Sequence, residues 1–225
     1  SAWESVARKL AHETKNPLTP IQLSIDRLKE KYSDKLKDDK SDFSKYLETI
    51  NRQIIDIKKL VNEFSDFARM PSPILKKIKI DDILNRAVSF YKLSNEDLTL
   101  NINKKNKSDI FINGDGEHLN RVFLNLLKNS IEAIDEKKQK DPNLKGKITL
   151  EIDTNNEYIV IKMLDNGIGF NDVKNITKPY FTTKKKGTGL GLPIVTKIIN
   201  EHNGDINFLK NSKGAEIVIS LPIFS

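Results

Sequence analysis

Two runs of apolar residues, spaced alternately by three and four, constrain this chain more than any other feature in it. The first falls at Leu18, Ile21, Ile25, Leu28 and Tyr32, the second at Leu47, Ile50, Ile54, Ile57, Val61, Phe64 and Ala68. A sustained three–four alternation keeps one narrow seam on one side of a helix. Each run therefore predicts a helix that must bury its seam against another. The polar stretch 33–42 between them, dominated by Asp and Lys, reads as a turn joining two antiparallel helices. Such a hairpin buries little alone. A four-helix bundle made from two copies, a homodimer, is the economical solution; packing on the chain's own second domain is the alternative.

Met70-Pro71-Ser72-Pro73 ends the second helix, because proline cannot continue it and restrains the residue before it. Beyond that point the periodicity changes. The pattern predicts a helix over 80–91, strands over 98–102 and 109–113, and a long helix capped by Asp115 that carries Leu119, Val122, Phe123, Leu126, Ile131 and Ile134. Strands follow over 148–152 and 158–164, then a helix over 191–202 and strands near 206–209 and 216–221. The expected fold is thus a helical hairpin over residues 1–70 followed by an α+β domain over 71–225, with helices on one face of a sheet. A length of 225 residues accommodates both.

No stretch approaches the roughly 20 consecutive apolar residues of a membrane span. Trp3, Val6 and Leu10 start the first helix without a capping residue, as in a chain cut from a longer one, so any membrane anchor is expected upstream of Ser1. The absence of cysteine excludes disulfides and thiolate metal sites, and a cytoplasmic location is the expectation. The net charge of +7 is scattered, with only Lys184-Lys185-Lys186 as a run, so it reads as solvated surface and no nucleic-acid partner is expected.

The segment Leu10-Ala11-His12-Glu13-Thr14-Lys15-Asn16-Pro17-Leu18-Thr19-Pro20 carries the first chemistry. At about 100° per residue Leu10, Thr14 and Leu18 share a face, and His12 lies about 200° from Leu10, away from the seam. Glu13 can accept a proton from one ring nitrogen and leave the other a better nucleophile. Asn16, one turn on, can position a water or a phosphoryl oxygen. Pro17 and Pro20 free the carbonyls of Glu13 and Asn16 and bend the helix just after His12. This string resembles the phosphoacceptor box of sensor histidine kinases, H-E-x-x-N-P-L, and its continuation P-L-T-P-I-Q-L-S is similar to the nitrogen-regulation type. The resemblance implies that His12 is phosphorylated, that Glu13 is its general base, and that Asn16 takes part in removing phosphate from a partner.

The second half holds a nucleotide-site series. Asn125 and Asn129 sit one turn apart, with Lys128 between them; amide oxygens are hard neutral ligands suited to Mg²⁺ that already carries phosphate oxygens. Asp165-Asn166-Gly167-Ile168-Gly169 follows a strand, where a carboxylate can accept from an exocyclic amine and glycines let backbone approach a flat ring. Pro179-Tyr180-Phe181-Thr182-Thr183-Lys184 suits a lid. Gly187-Thr188-Gly189-Leu190-Gly191-Leu192 opens a helix with amides free for phosphate, and it is neither a Walker loop nor a G-x-G-x-x-G fingerprint. In this order the segments resemble the N, G1, F and G2 boxes of the histidine-kinase ATP domain, an α/β sandwich shared with gyrase, Hsp90 and MutL.

The resemblance covers both halves of the chain. It implies ATP as substrate with ADP as product, Mg²⁺ on Asn129 with Asn125 assisting, Asp165 reading adenine, and an aspartate of a response-regulator receiver domain as the final acceptor. Asn125 stands where ATP-hydrolysing relatives carry glutamate, which argues against the competing readings of a chaperone-like or topoisomerase-like ATPase. A degenerate, non-transferring dimeric scaffold is the other alternative, and intact His12, Glu13, Asn129 and Asp165 count against it. His118 and His202 read as structural or surface residues.

Overall fold

The computed structural model describes residues 2–33, 40–68, 70–93, 97–106, 108–155, 157–170, 172–173, 175–178 and 189–224, with backbone alone at 2–13, 15, 40–41 and 66–68. The chain divides into a helical hairpin that ends at Pro71 and a second unit that begins at Ser72. In the hairpin, α1 (Ala2–Tyr32) packs on α2 (Lys40–Ala68). α1 runs through Pro17 and Pro20 as one helix, and the Ser24 hydroxyl donates to the Pro20 carbonyl at 2.8 Å. Residues 40–42, expected in the turn, open α2 instead, where Asp42 in the first turn suits the positive end of the helix. The rest of that turn, 34–39, lies outside the described residues.

Only half of each seam is covered. Leu18 and Ile25 on α1, and Leu47, Ile54 and Val61 on α2, are buried at seven-residue intervals. The intervening Ile21, Leu28, Ile50 and Ile57 stay 45%, 43%, 45% and 43% exposed. One position of each heptad thus packs inside the hairpin and the other does not.

The second unit is built on a five-stranded sheet in the order β2-β4-β5-β7-β6, comprising β2 (Leu98–Lys104), β4 (Gly146–Thr154), β5 (Tyr158–Asp165), β6 (Asp205–Lys210) and β7 (Ala215–Pro222). β2 runs parallel to β4 and every other pair is antiparallel. Strand alternation puts Ile148, Leu150 and Ile152, with Ile159, Ile161 and Met163 beside them, on the buried face. Three helices cover that face: α3 (Ile80–Lys92), α4 (Gly116–Lys138) and α5 (Gly191–Glu201), with α4 between the other two. The opposite face carries the exposed Lys147, Glu151 and Lys162. This is the expected layer. One element went unread: β1 (Lys76–Lys79), which pairs antiparallel with β3 (Phe111–Gly114). Three lysines in four residues give no apolar alternation; the strand is held by its ladder and by Lys77, whose ammonium lies 4.8 Å from the Phe111 ring centre and 4.9 Å from that of Phe224.

Asp115 caps α4 as expected and does more. Its Oδ1 accepts from the N–H groups of Glu117 and His118 at 3.0 and 3.2 Å, while Oδ2 accepts from the N–H of Ile74 at 2.9 Å. Burial opposes its ionisation, but the N–H groups of Ile74, His118 and Glu117 outweigh that and hold the carboxyl below its ordinary value. The Asp115 N–H donates to Nε2 of buried His202 at 2.9 Å, and His202 Nδ1 donates to the Ile198 carbonyl at 2.7 Å. The first contact needs Nε2 unprotonated, and hence the neutral ring; the second survives protonation. Burial, the largest effect, pushes the His202 imidazole below its ordinary value, and nearby His118 adds to it against Asp115 and Glu201.

The unfolded ring takes up a proton near 6.5, whereas the folded ring resists it. Stability from this contact is therefore full above that value and lost as pH falls towards the folded one. The melting temperature of the chain is expected to drop between about pH 7 and pH 5, and His202→Gln, whose amide does not titrate there, to flatten the drop. An unchanged pH slope in His202→Gln, followed by circular dichroism, contradicts this.

Candidate functional site

Asp165 ends β5 and is only 8% exposed, so its carboxylate requires internal partners. It has three. Oδ1 accepts from the N–H of Gly167 at 3.0 Å and from the N–H of Ala215 at 3.0 Å; Oδ2 accepts from the Ser130 hydroxyl at 2.7 Å. Bonds of this kind to an ionised acceptor contribute about 1.5–3 kcal/mol each. A carboxylate offers about four acceptor positions, two per oxygen. Three are filled, and the remaining one, on Oδ2, can take a further N–H such as an exocyclic amine.

Close backbone approach builds this cage. A side chain at Gly167 would place its Cβ 2.7 Å from the Ala133 carbonyl carbon of α4, and one at Gly214 would place it 2.2 Å from the Asp165 carbonyl oxygen. Gly169 adopts a φ of +72°, and a Cβ there would lie 2.7 Å from the Gly214 oxygen. The Ile168 N–H donates to the Ala133 carbonyl at 3.2 Å, and the Ile168 side chain is 37% exposed. Asn166 turns the other way: its amide bonds to the Lys147 N–H at 2.8 Å and the Lys145 carbonyl at 2.8 Å, bracing the loop on the start of β4. Beside this loop lies a cavity of about 310 Å³ lined by Lys137, Lys140, Gly167, Ile168 and Lys213, among others.

Asn125 and Asn129 are half-buried on α4, and Asn125 Oδ1 lies 3.8 Å from the position a Gly191 Cβ would occupy at the start of α5. The structure thus brings the first asparagine to the glycine-rich helix start. Lys128 stands exposed on α4, its ammonium 3.9 Å from Glu132. Gly189 has a φ of +69°, and Leu190 is buried. Thr183, Lys184, Gly187 and Thr188 lie outside the described residues. In the hairpin Asn16 is exposed, while His12 and Glu13 are placed by backbone alone, on α1.

Sequence reasoning missed Ser130, Lys137, Gly214 and Ala215. Ser130 was findable, as a hydroxyl in phase with Leu126, Leu127 and Ile134 on the apolar stripe of α4. Nothing local in the Asn211–Gly214 turn points to a carboxylate some fifty residues earlier in the chain.

Comparison with known proteins accounts for both units. Residues 2–73 match the family model of the His Kinase A (phospho-acceptor) domain, and residues 114–224 match that of the histidine kinase-, DNA gyrase B- and HSP90-like ATPase. The nitrogen regulation protein NtrY of Azorhizobium caulinodans is 38% identical over 98% of this chain and 29% of its own length. The chain belongs to the sensor histidine kinases. Among solved structures, full-length ShkA in complex with AMPPNP superposes with a TM-score of 0.70 at 19% identity, covering 98% of this chain and 46% of that one. ThkA in complex with the response regulator protein TrrA gives a TM-score of 0.68 at 21% identity, covering 98% and 61%. The chain spans 29% to 36% of the length of the NtrY-type kinases it matches.

In this kinase core Gly214→Ala forces backbone apart at Asp165. It is expected to destabilise the second unit by about 3 kcal/mol, the scale of overpacking a filled site, and to abolish nucleotide-induced thermal stabilisation. A variant that melts like the parent and still gains stability from ADP contradicts the cage.

Proposed function

We propose that this chain binds ATP in its second unit and transfers the γ-phosphoryl group to His12, from which it passes to an aspartate of a response-regulator receiver domain. The observation that carries the reading is the caged carboxylate of Asp165, with one acceptor position left, in the same chain as an H-E-T-K-N-P-L segment on a helix. Residues 1–70 act as the dimerisation and phosphotransfer domain and 71–225 as the catalytic domain. Asp165 takes the adenine 6-amino group, and Gly167, Ile168 and Gly169 lie against the ring. Gly187, Thr188, Gly189, Leu190 and Gly191 offer backbone N–H groups to the phosphates, with Thr183, Lys184 and Lys128 as further donors.

Among the described residues no group of three or more His, Asp or Glu side chains is placed to hold a metal, and on α4 the amides of Asn125 and Asn129 lie one turn apart. That set fits Mg²⁺ bound mainly by phosphate oxygens and water, with Asn129 and Asn125 as its protein ligands, and the ion would neutralise phosphate charge. In the transfer, a ring nitrogen of His12 forms the N–P bond as the bond from phosphorus to the ADP oxygen breaks. The proton on the other ring nitrogen goes to Glu13. Asn16, exposed and one turn beyond, would orient a water against the phosphorylated partner in a phosphatase activity as well.

The exposed half of each seam supports a homodimer through a four-helix bundle, because Ile21, Leu28, Ile50 and Ile57 repeat on heptad spacing and stay 43–45% exposed in one chain. No described helix is long and apolar enough to cross a membrane. The core is read as the cytoplasmic portion of a sensor anchored by segments upstream.

Two outcomes are expected. Incubation with γ-labelled ATP gives acid-labile, base-stable label on the parent chain and none on His12→Gln; label persisting in the variant removes His12 from the scheme. Ile21→Glu combined with Ile50→Glu converts a dimer to a folded monomer in sedimentation velocity, and a dimer that survives both charges rules out the seam as its interface.

A further inference from the structure

Lys137, in the last turn of α4, has an arrangement that the scheme above does not use. Its ammonium donates to three backbone carbonyls: Asn166 at 2.9 Å, Gly167 at 3.0 Å and Lys213 at 3.1 Å. An ammonium has three donors, so all are committed. A lysine at a helix end commonly meets the last carbonyls of its own helix or a surface carboxylate. This one reaches two other segments instead.

Those segments supply both donors to Asp165 Oδ1. Two of the carbonyls flank the Gly167 N–H, and the third lies two residues before Ala215. The Asn166 side chain ties the loop to the start of β4, and the Ile168 N–H ties it to α4. Among the described residues, apart from Asp165 itself, Lys137 supplies the hydrogen bonds that bridge this loop to the turn between β6 and β7. Without that bridge the two N–H groups are free to part, and the carboxylate to rotate about its remaining bond to Ser130.

We propose that Lys137 is a positioning residue for base recognition: it locks the loop after β5 to the β6–β7 turn so that the open acceptor position of Asp165 points at a purine 6-amino group. The inference rests on Asp165 reading the base. Lys137 does not touch the nucleotide in this account. The 310 Å³ cavity is lined by Lys137, Gly167 and Lys213, so water can take over from the ammonium on the side that faces it, and the fold is expected to survive the substitution.

The test is calorimetric binding of ATP and of inosine triphosphate, which carries a 6-oxo group, to the whole 225-residue chain and to Lys137→Met and Asp165→Asn. The phosphates are common to both ligands, so the affinity ratio isolates the base. The parent is expected to prefer ATP, Asp165→Asn to lose that preference, and Lys137→Met to lose about tenfold of it, about 1.4 kcal/mol, while melting near the parent temperature without nucleotide. If Asp165→Asn loses the preference and Lys137→Met keeps it, Lys137 does not position the carboxylate. A parallel loss of both nucleotides in Lys137→Met assigns it a general structural role and overturns the proposal. Preference retained in Asp165→Asn removes the reading of the base by Asp165, and the inference with it.

Discussion

The second unit depends on a buried negative charge that must be held by hydrogen bonds drawn from three places in the chain. Ser130 comes from α4, Gly167 from the loop after β5, and Ala215 from the start of β7. Gly167 is local to Asp165, but Ser130 and Ala215 reach it only when α4 lies across the sheet and β7 pairs with β5, so the cage is complete only when the whole layer has formed. Leaving the carboxylate ionised without those donors would cost several kcal/mol. The glycines at 167 and 214 are the steric counterpart, since a Cβ at either would separate the backbone segments that carry the donors.

The hairpin follows the opposite logic. Among its described residues it buries no charged side chain, and it is underfilled as a single chain, with one heptad position packed and its companion exposed. The second copy proposed above would complete such a surface, and a helix pair stabilised by a partner is also one whose packing can shift with little loss. The second unit, with its charge caged and its core of Ile, Leu and Phe closed, is built for fixed geometry instead.

Much of this was legible in the sequence because periodicity reports burial directly. Among the described residues, six of the seven strands, the three helices of the second unit, the Asp115 cap and the paired asparagines of α4 follow from spacing and capping chemistry. Strand β1 did not, because Lys76, Lys77 and Lys79 hide a four-residue ladder whose stability comes from β3 and two aromatic rings. The seams were read as uniform, whereas only every seventh residue is covered; the spacing specifies a stripe but not how many partners share it. In the site, Asp165, Gly167 and Gly169 stood out by type and order, whereas Gly214 did not. Lys137 and Ala215 did not, because their role lies in backbone groups, which every residue carries alike.

The central claim is that Asp165 is caged before any nucleotide arrives, and amide hydrogen exchange at Gly167 and Ala215 in the nucleotide-free chain tests it most directly. The account predicts slow exchange at both N–H groups in the parent, and loop-like exchange at both in Asp165→Ala, where the shared acceptor is gone. Fast exchange at either site in the free parent, with protection appearing only on adding ADP, would mean that the ligand builds the cage and would contradict the account.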